Sequence, residues 1–333
     1  MQAALANVRR FEWIDLARGV GVCLVVFTHL KTHMTVDIAL RSFLIPMYLM
    51  VSGFLYGVKP GFRAFTTAKA KRLLVPSAAF TFLGVAVCSI RQGLATGLLA
   101  LRSLWDARVP FNEPVWFFIV LFEVYIIEFA LNGIRKTTFG RVAMAAGFFA
   151  MGNLLYTFGV SLPFGLHKAV VAAGFFNVGE VLRVIFNNFG DALRGRRRLT
   201  IVVLMMLLAI WAVFGVVLND CKVSFNNFFF GNYWYCAISG VAGATAFLTA
   251  CCLVDGAKGL GFFKTAGLNS VFIMGTHYVF TKAFRSAASH FGHVDAVVYF
   301  MLAASFVLLL VKAYEPVCAY LDDRAPWLTG KMS

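Results

Sequence analysis

Residues 13–32 read Trp-Ile-Asp-Leu-Ala-Arg-Gly-Val-Gly-Val-Cys-Leu-Val-Val-Phe-Thr-His-Leu-Lys-Thr. Apart from Asp15, Arg18, Thr28, His29 and the closing Lys31-Thr32, every side chain is apolar or absent, and the length suits a membrane-crossing helix. Arg18 and His29 are the informative residues. An ionisable group inside such a span points to function, because lipid penalises it unless something uses it. They are eleven residues apart. At ~100° per residue that is about 20° past three turns, so both side chains project from one face, ~16 Å apart along the axis.

The rest of the chain supports a membrane reading. Of 333 residues, 60% are hydrophobic and 14% charged, with mean hydropathy +0.80. An ordinary soluble domain has neither property. Long apolar runs, such as Ile201 to Leu218 and Ala296 to Val311, approach the length of a bilayer crossing. Ten-residue alternating strands are missing, which excludes an outer-membrane barrel. The expected fold class is all-α: a polytopic integral membrane protein with about ten transmembrane helices and both termini cytoplasmic. The spans fall near 13–32, 39–58, 73–91, 114–131, 142–159, 168–188, 199–218, 233–254, 266–284 and 296–313. Residues 1–333 form a single membrane domain with no fused soluble domain, and the first span is a retained helix rather than a removed signal peptide.

Loop charge sets the orientation. One set of loops holds 18 Lys and Arg, including Arg9, Arg10, Lys59, Arg63, Lys69, Lys71, Arg72, Arg135 and the Arg194–Arg198 cluster. The other set holds 8, including Lys31, Arg41, Arg91, Lys168 and Lys222. The positive-inside rule places the first set in the cytoplasm. This asymmetry also accounts for the formal charge of +15 without nucleic acid. The longest outer connection, Arg91 to Glu113, carries Leu98, Leu99, Leu101, Leu104 and Trp105 and suits the membrane interface. Seven cysteines are scattered without C-x-x-C or ligand spacing, so neither a disulfide framework nor a metal site is indicated.

Candidate site residues follow from chemistry and spacing. Asp15 lies three residues before Arg18 and can orient it. An oriented guanidinium suits an anion such as a phosphate. His29 can take a proton from a hydroxyl near neutral pH, although a lone membrane histidine also serves as a packing residue. Lys71 and Arg72 set two cations at a helix start, for topology or for phosphate binding, whereas Lys59, Arg63 and Lys69 read as topological only. Ser52, Trp116, Glu123, Asn269, Ser270 and His277 are substrate or cavity candidates. Glu180 and Arg183, three apart, are expected to satisfy each other. His33, His167, His290 and His293 receive no role.

In order along the chain, these residues resemble the acyltransferase-3 family of membrane acyltransferases, nearest its fucose 4-O-acetylase-like branch. The motifs that carry the resemblance are Trp13-Ile-Asp15-Leu-Ala-Arg18-Gly19, the Arg18–His29 spacing, and Pro46-Met-Tyr-Leu-Met-Val-Ser52-Gly53. They continue with Lys71-Arg72-Leu-Leu-Val-Pro76, Trp116-Phe117, and Gly267-Leu-Asn269-Ser270 leading to His277. The resemblance implies transfer of an acyl group, usually acetyl from cytoplasmic acetyl-CoA, to a hydroxyl of a cell-surface or lipid-linked carbohydrate. It implies a bacterial cytoplasmic (inner) membrane location. Members of that branch commonly carry a histidine just before the proline of the second span; here Leu44 stands there, which leaves His29 as the imidazole to watch.

The resulting expectation is that acyl-CoA docks with its phosphates on Lys71 and Arg72, with help from Arg194–Arg198, and that its arm passes Arg18. His29 then acts as general base or as transient acyl carrier. Expected partners are the glycan or lipid-linked sugar acceptor and membrane lipids, with room for a homo-oligomer and with no metal and no nucleic acid. Two other readings use the same polar residues: a transporter or flippase of a glycan precursor or small solute, and a regulatory scaffold, which has no positive feature behind it.

Overall fold

The computed structural model describes residues 11–30, 33–57, 61–93, 95, 100–109, 112–134, 137–290 and 295–331. Arg9, Arg10, Lys31, Lys59, Leu98, Leu99, Arg135 and His293 lie outside the described residues, as do the side chains of Arg91, Leu101 and Arg194. The described chain is a bundle of helices: α1 Glu12–Thr28, α2 Met34–Arg41, α3 Leu44–Phe54, α4 Phe62–Gln92, α5 Trp116–Ala130, α6 Thr138–Thr157, α7 Leu166–Gly195, α8 Arg197–Ala212, α9 Tyr233–Val254, α10 Gly261–Leu268, α11 Ser270–Ser289, α12 Ala296–Arg324 and the short α13 Pro326–Thr329. Among the described residues the only β-type pairing is Ser224 with Phe229.

Six of these segments are long and apolar enough to cross a membrane: Met34–Phe54, Phe62–Ile90, Pro163–Gly190, Arg197–Leu218, Tyr233–Val254 and Ala296–Arg324. That is fewer than the ten expected. The reason is visible in the helices that miss the criterion. The first expected span is only 17 residues as α1, and thirteen of them are buried, so α1 is shielded by other helices rather than by lipid. The expected span 266–284 is two helices, α10 and α11, that break at Asn269. The expected span 39–58 falls in Met34–Phe54, which meets the criterion although it is built of α2 and α3, meeting at Ser42-Phe43. Pro46 therefore sits in the first turn of α3, where its missing N–H leaves no intrahelical bond unmade.

Close backbone contact fixes the centre. A Cβ on Gly19 would collide with the Phe263 carbonyl oxygen, and one on Gly267 with that of Asp15. The α1 and α10 backbones thus touch at two glycines, the small-residue packing that membrane helices use. Gly53 and Gly179 do the same for α3 and α7, against Phe176 and Met50. By contrast α8 and α12 are largely exposed along their apolar lengths, as lipid-facing helices are. In the connection before α5, a 3-10 segment spans Ala100–Asp106 and leaves Trp105 exposed.

Between α8 and α9, residues 219–232 fold back over one end of the bundle. The Asn219 side chain donates to the Phe230 carbonyl at 3.0 Å and accepts from the Asn232 amide at 2.8 Å. Lys222 reaches Asp37 on α2 at 2.9 Å, and Arg41 reaches the same carboxylate at 2.6 Å. Asp37 is buried, so this triad ties the loop to α2.

Candidate active site

Helix α1 carries Arg18 in its first half and is capped by His29 at its end. Helix α11 runs beside it in the same direction: Arg18 Nη2 donates to Ser270 Oγ at 2.8 Å, and the His29 ring lies 5.2 Å from the His277 ring. The breaks flanking these residues explain the placement. Stopping α10 at Asn269 puts Ser270 at the start of α11, level with Arg18, and His277 two turns later.

Each end opens into a cavity. The Arg18 cavity, ≈ 110 Å³, is lined by Arg18, Tyr48, Ser52, Lys69, Arg72, Tyr125 and Ser270 together with apolar residues. Three cations face it and none of its lining residues is a carboxylate; Asp15 stands 3.9 Å from Arg18. Lys69 Nζ lies 3.6 Å from the centre of the Tyr125 ring, a cation–π contact that holds the ammonium over the cavity wall. Tyr48 Oη donates to the Arg18 carbonyl at 2.7 Å. Three cations with no facing carboxylate attract a polyanion.

The His29 cavity, ≈ 90 Å³, is lined by Thr28, His29, Arg41, Leu44, Glu113, Trp116 and, from the 219–232 loop, Ser224, Phe225 and Asn226. Tyr278 packs edge-on against His29 at 5.2 Å. His277 is fully buried, and its Nδ1 is 2.9 Å from the Ile273 carbonyl. A carbonyl oxygen only accepts, so neutral His277 carries its proton on Nδ1 and a lone pair on Nε2. That Nε2 has no hydrogen-bond partner, which is costly unless it is used.

A family model described as an acyltransferase domain matches residues 11–313. The chain belongs to the acyltransferase-3 family. With its apolar helices, it is a multi-pass membrane acyltransferase. No curated protein and no solved structure matches it. The matched span contains every residue that lines the two cavities of this acyltransferase.

The structure sorts the expected residues of the acyltransferase. Arg18, Arg72, Ser52 and Ser270 meet in one cavity, His29 and Trp116 in the other, and His277 beside the latter. Asp15 is within ion-pair reach of Arg18, but the short contact of that guanidinium is to Ser270. Lys71 is exposed and outside the lining, and Lys69 takes its place. Helical geometry gives the reason: Lys69 and Arg72 are three apart and share a face, whereas Lys71 points ~100° away from Arg72. Arg196, Arg197 and Arg198 are exposed and do not line the cavity. Asn269 serves the helix break, where its Oδ1 accepts from Lys331 at 3.0 Å. Glu123 does not line either cavity; its Oε2 is buried without a hydrogen bond. Arg141 also lies 3.8 Å from Glu180, and Arg183 donates to the Tyr56 carbonyl at 2.7 Å.

Sequence reasoning missed Arg41, Glu113, Asn226, Tyr48 and Tyr125. The spacing of Lys69 and Arg72 was a usable signal. No local signal marks Asn226, whose place depends on the Asp37–Lys222 tie. Leu44, at the position where the resemblance calls for a histidine, does line the His29 cavity. The second imidazole near His29 comes instead from α11. Among the described residues, no group of three or more His, Cys, Asp or Glu is placed to hold a metal.

Proposed function

We propose that this acyltransferase moves an acetyl group from acetyl-CoA to a hydroxyl of a cell-surface or lipid-linked carbohydrate. The observation that carries the reading is the division of labour along α1. One end holds three cations suited to the phosphates of CoA; the other holds two imidazoles suited to activating a hydroxyl. In this reading Arg18, Lys69 and Arg72 anchor the donor, and Ser270 keeps the Arg18 fork in place. His29 takes the proton of the acceptor hydroxyl. The hydroxyl oxygen bonds to the thioester carbonyl carbon, the C–S bond breaks, and the departing thiolate receives the proton. His277, whose Nε2 lone pair has no hydrogen-bond partner here, would accept the N–H of His29 once the two rings turn toward each other, leaving the other His29 nitrogen as the base. If His29 is instead a transient carrier, acetyl-CoA alone leaves an acyl-imidazole on the protein.

The proposal extends to topology: ten spans, both termini on the cytoplasmic side of a bacterial inner membrane, the Arg18 cavity facing the donor and the His29 cavity facing the acceptor. The fucose 4-O-acetylase-like branch is the proposed affiliation, supported by Trp13-Ile-Asp15-Leu-Ala-Arg18 and by Gly267-Leu-Asn269-Ser270.

Two cavities on opposite sides of a closed wall also fit alternating access by a transporter of a glycan precursor. Vesicles holding the purified protein and radiolabelled acetyl-CoA separate the readings. Label appearing on the glycan, with CoA released, supports the enzyme. Movement of unmodified sugar without consumption of acetyl-CoA rejects it.

A further inference from the structure

The Arg18 and His29 cavities meet at one wall. Phe117 and Met274 line both, and each is about 4% exposed. Met274 lies four residues after Ser270 and three before His277, so the three side chains rise along one face of α11. Ser270 serves the first cavity, His277 borders the second, and Met274 stands between.

The two sides of the wall differ in freedom. The Phe117 ring is boxed edge-on by Trp116 at 6.0 Å, Tyr48 at 6.1 Å and Phe118 at 6.2 Å. Met274 has an unbranched side chain with three rotatable bonds, the kind that adapts its shape at low cost. The backbone beside it is pinned. Asn112 Nδ2 donates to the Gly275 carbonyl at 2.6 Å and to the Phe80 carbonyl at 3.3 Å. A Cβ on Gly275 would collide with the Phe80 ring. Opening therefore falls to the Met274 side chain, not to a shift of α11.

We infer that Phe117 and Met274 form the passage through which the acyl group reaches His29, and that Met274 limits the length of the acyl chain transferred. The inference rests on the proposed acyl-CoA reading. A donor held by its phosphates at Arg18 has to extend its thioester ~16 Å along α1 to meet His29. The two-residue wall lies across that route. A small acyl group passes once Met274 swings aside; each added methylene needs room that Phe117 does not yield.

The test uses the full-length protein in lipid nanodiscs with acetyl-CoA, butanoyl-CoA and hexanoyl-CoA as donors. Met274→Ala is expected to raise the hexanoyl-to-acetyl ratio of kcat/KM by roughly tenfold or more, the scale on which a pocket discriminates by methylene groups. Met274→Leu, branched and less able to swing aside, should slow acetyl transfer and leave the hexanoyl-to-acetyl ratio no higher than in wild type. Met274→Trp should cut acetyl transfer by roughly tenfold or more, and retention of tritiated CoA shows that the variant is folded. An unchanged chain-length ratio in Met274→Ala overturns the inference, as does wild-type turnover by Met274→Trp. A wild-type protein that binds CoA but transfers no acyl group from any donor defeats the acyl-CoA reading, and the passage with it. Normal acetyl transfer with an unaltered ratio defeats the passage alone.

Discussion

Lys69 and Lys71 differ by two positions and by where they point. Lys69 lies over Tyr125 and lines the Arg18 cavity with Arg72; Lys71 faces out. Two unit charges 4 Å apart interact by about 4 kcal/mol at an effective dielectric near 20. Lys69 is only partly buried, so solvent screens it. Its contribution to holding a phosphate then falls between an exposed ion pair and a charge-assisted buried bond, about 1.5 kcal/mol. That corresponds to roughly a tenfold rise in the KM for acetyl-CoA on Lys69→Gln. Lys71→Gln should shift KM by less than about twofold, as surface changes do. Steady-state acetyl transfer in nanodiscs, with kcat recorded separately, measures both. The kcat of Lys69→Gln should stay near wild type, because Lys69 is remote from His29. A rise in KM for Lys71→Gln equal to or larger than that for Lys69→Gln would refute the assignment of the cavity as the donor site.

Other outcomes follow from the packing and the charge ties. Gly267→Ala drives a methyl into the Asp15 carbonyl and should lower stability by about 1–3 kcal/mol, read as a drop in Tm; Gly147→Ala meets nothing within 4 Å and should leave Tm unchanged or slightly raised. Asp37→Ala removes the carboxylate that Arg41 and Lys222 share, leaving Arg41 its bond to the Thr28 carbonyl, and should destabilise by about 2 kcal/mol, below the cost for a fully buried pair because Lys222 is half-buried, with faster proteolysis within residues 219–232. The Lys264 ammonium is held above its ordinary value of 10.5 by hydrogen bonds to Glu12 and Asp255. A raised value means its stabilisation is full below pH 10.5 and is lost as pH climbs through the higher folded value. The Tm difference between wild type and Lys264→Gln should thus be constant from pH 7 to about 9 and should shrink above about 10.5.

Much of the fold was legible because hydrophobicity and charge are local properties. The helices, their membrane character and the shared α1 face of Arg18 and His29 all come from periodicity. Ser270 and His277 were singled out from one motif, and they meet Arg18 and His29 respectively. What periodicity did not show are features set by long-range contact. The break at Asn269, held by Lys331, splits an apolar run that reads as one span. The Asp37–Lys222 tie that brings Asn226 over His29 joins residues far apart in sequence. The wall of Phe117 and Met274 divides what the α1 face alone suggests is one path. Lys69 is a different case: its helical register with Arg72 is readable, but it lies in a basic stretch, Lys59 to Arg72, that topology alone explains.

Acyl transfer to a surface carbohydrate is proposed to be completed at the His29 end of α1. Its most direct measurement is the mass of surface glycans from cells that carry wild-type protein or His29→Ala at equal membrane abundance. Glycans should be heavier by whole acetyl units with wild type, with none of that increase with His29→Ala. Full acetylation by the His29→Ala variant would contradict it.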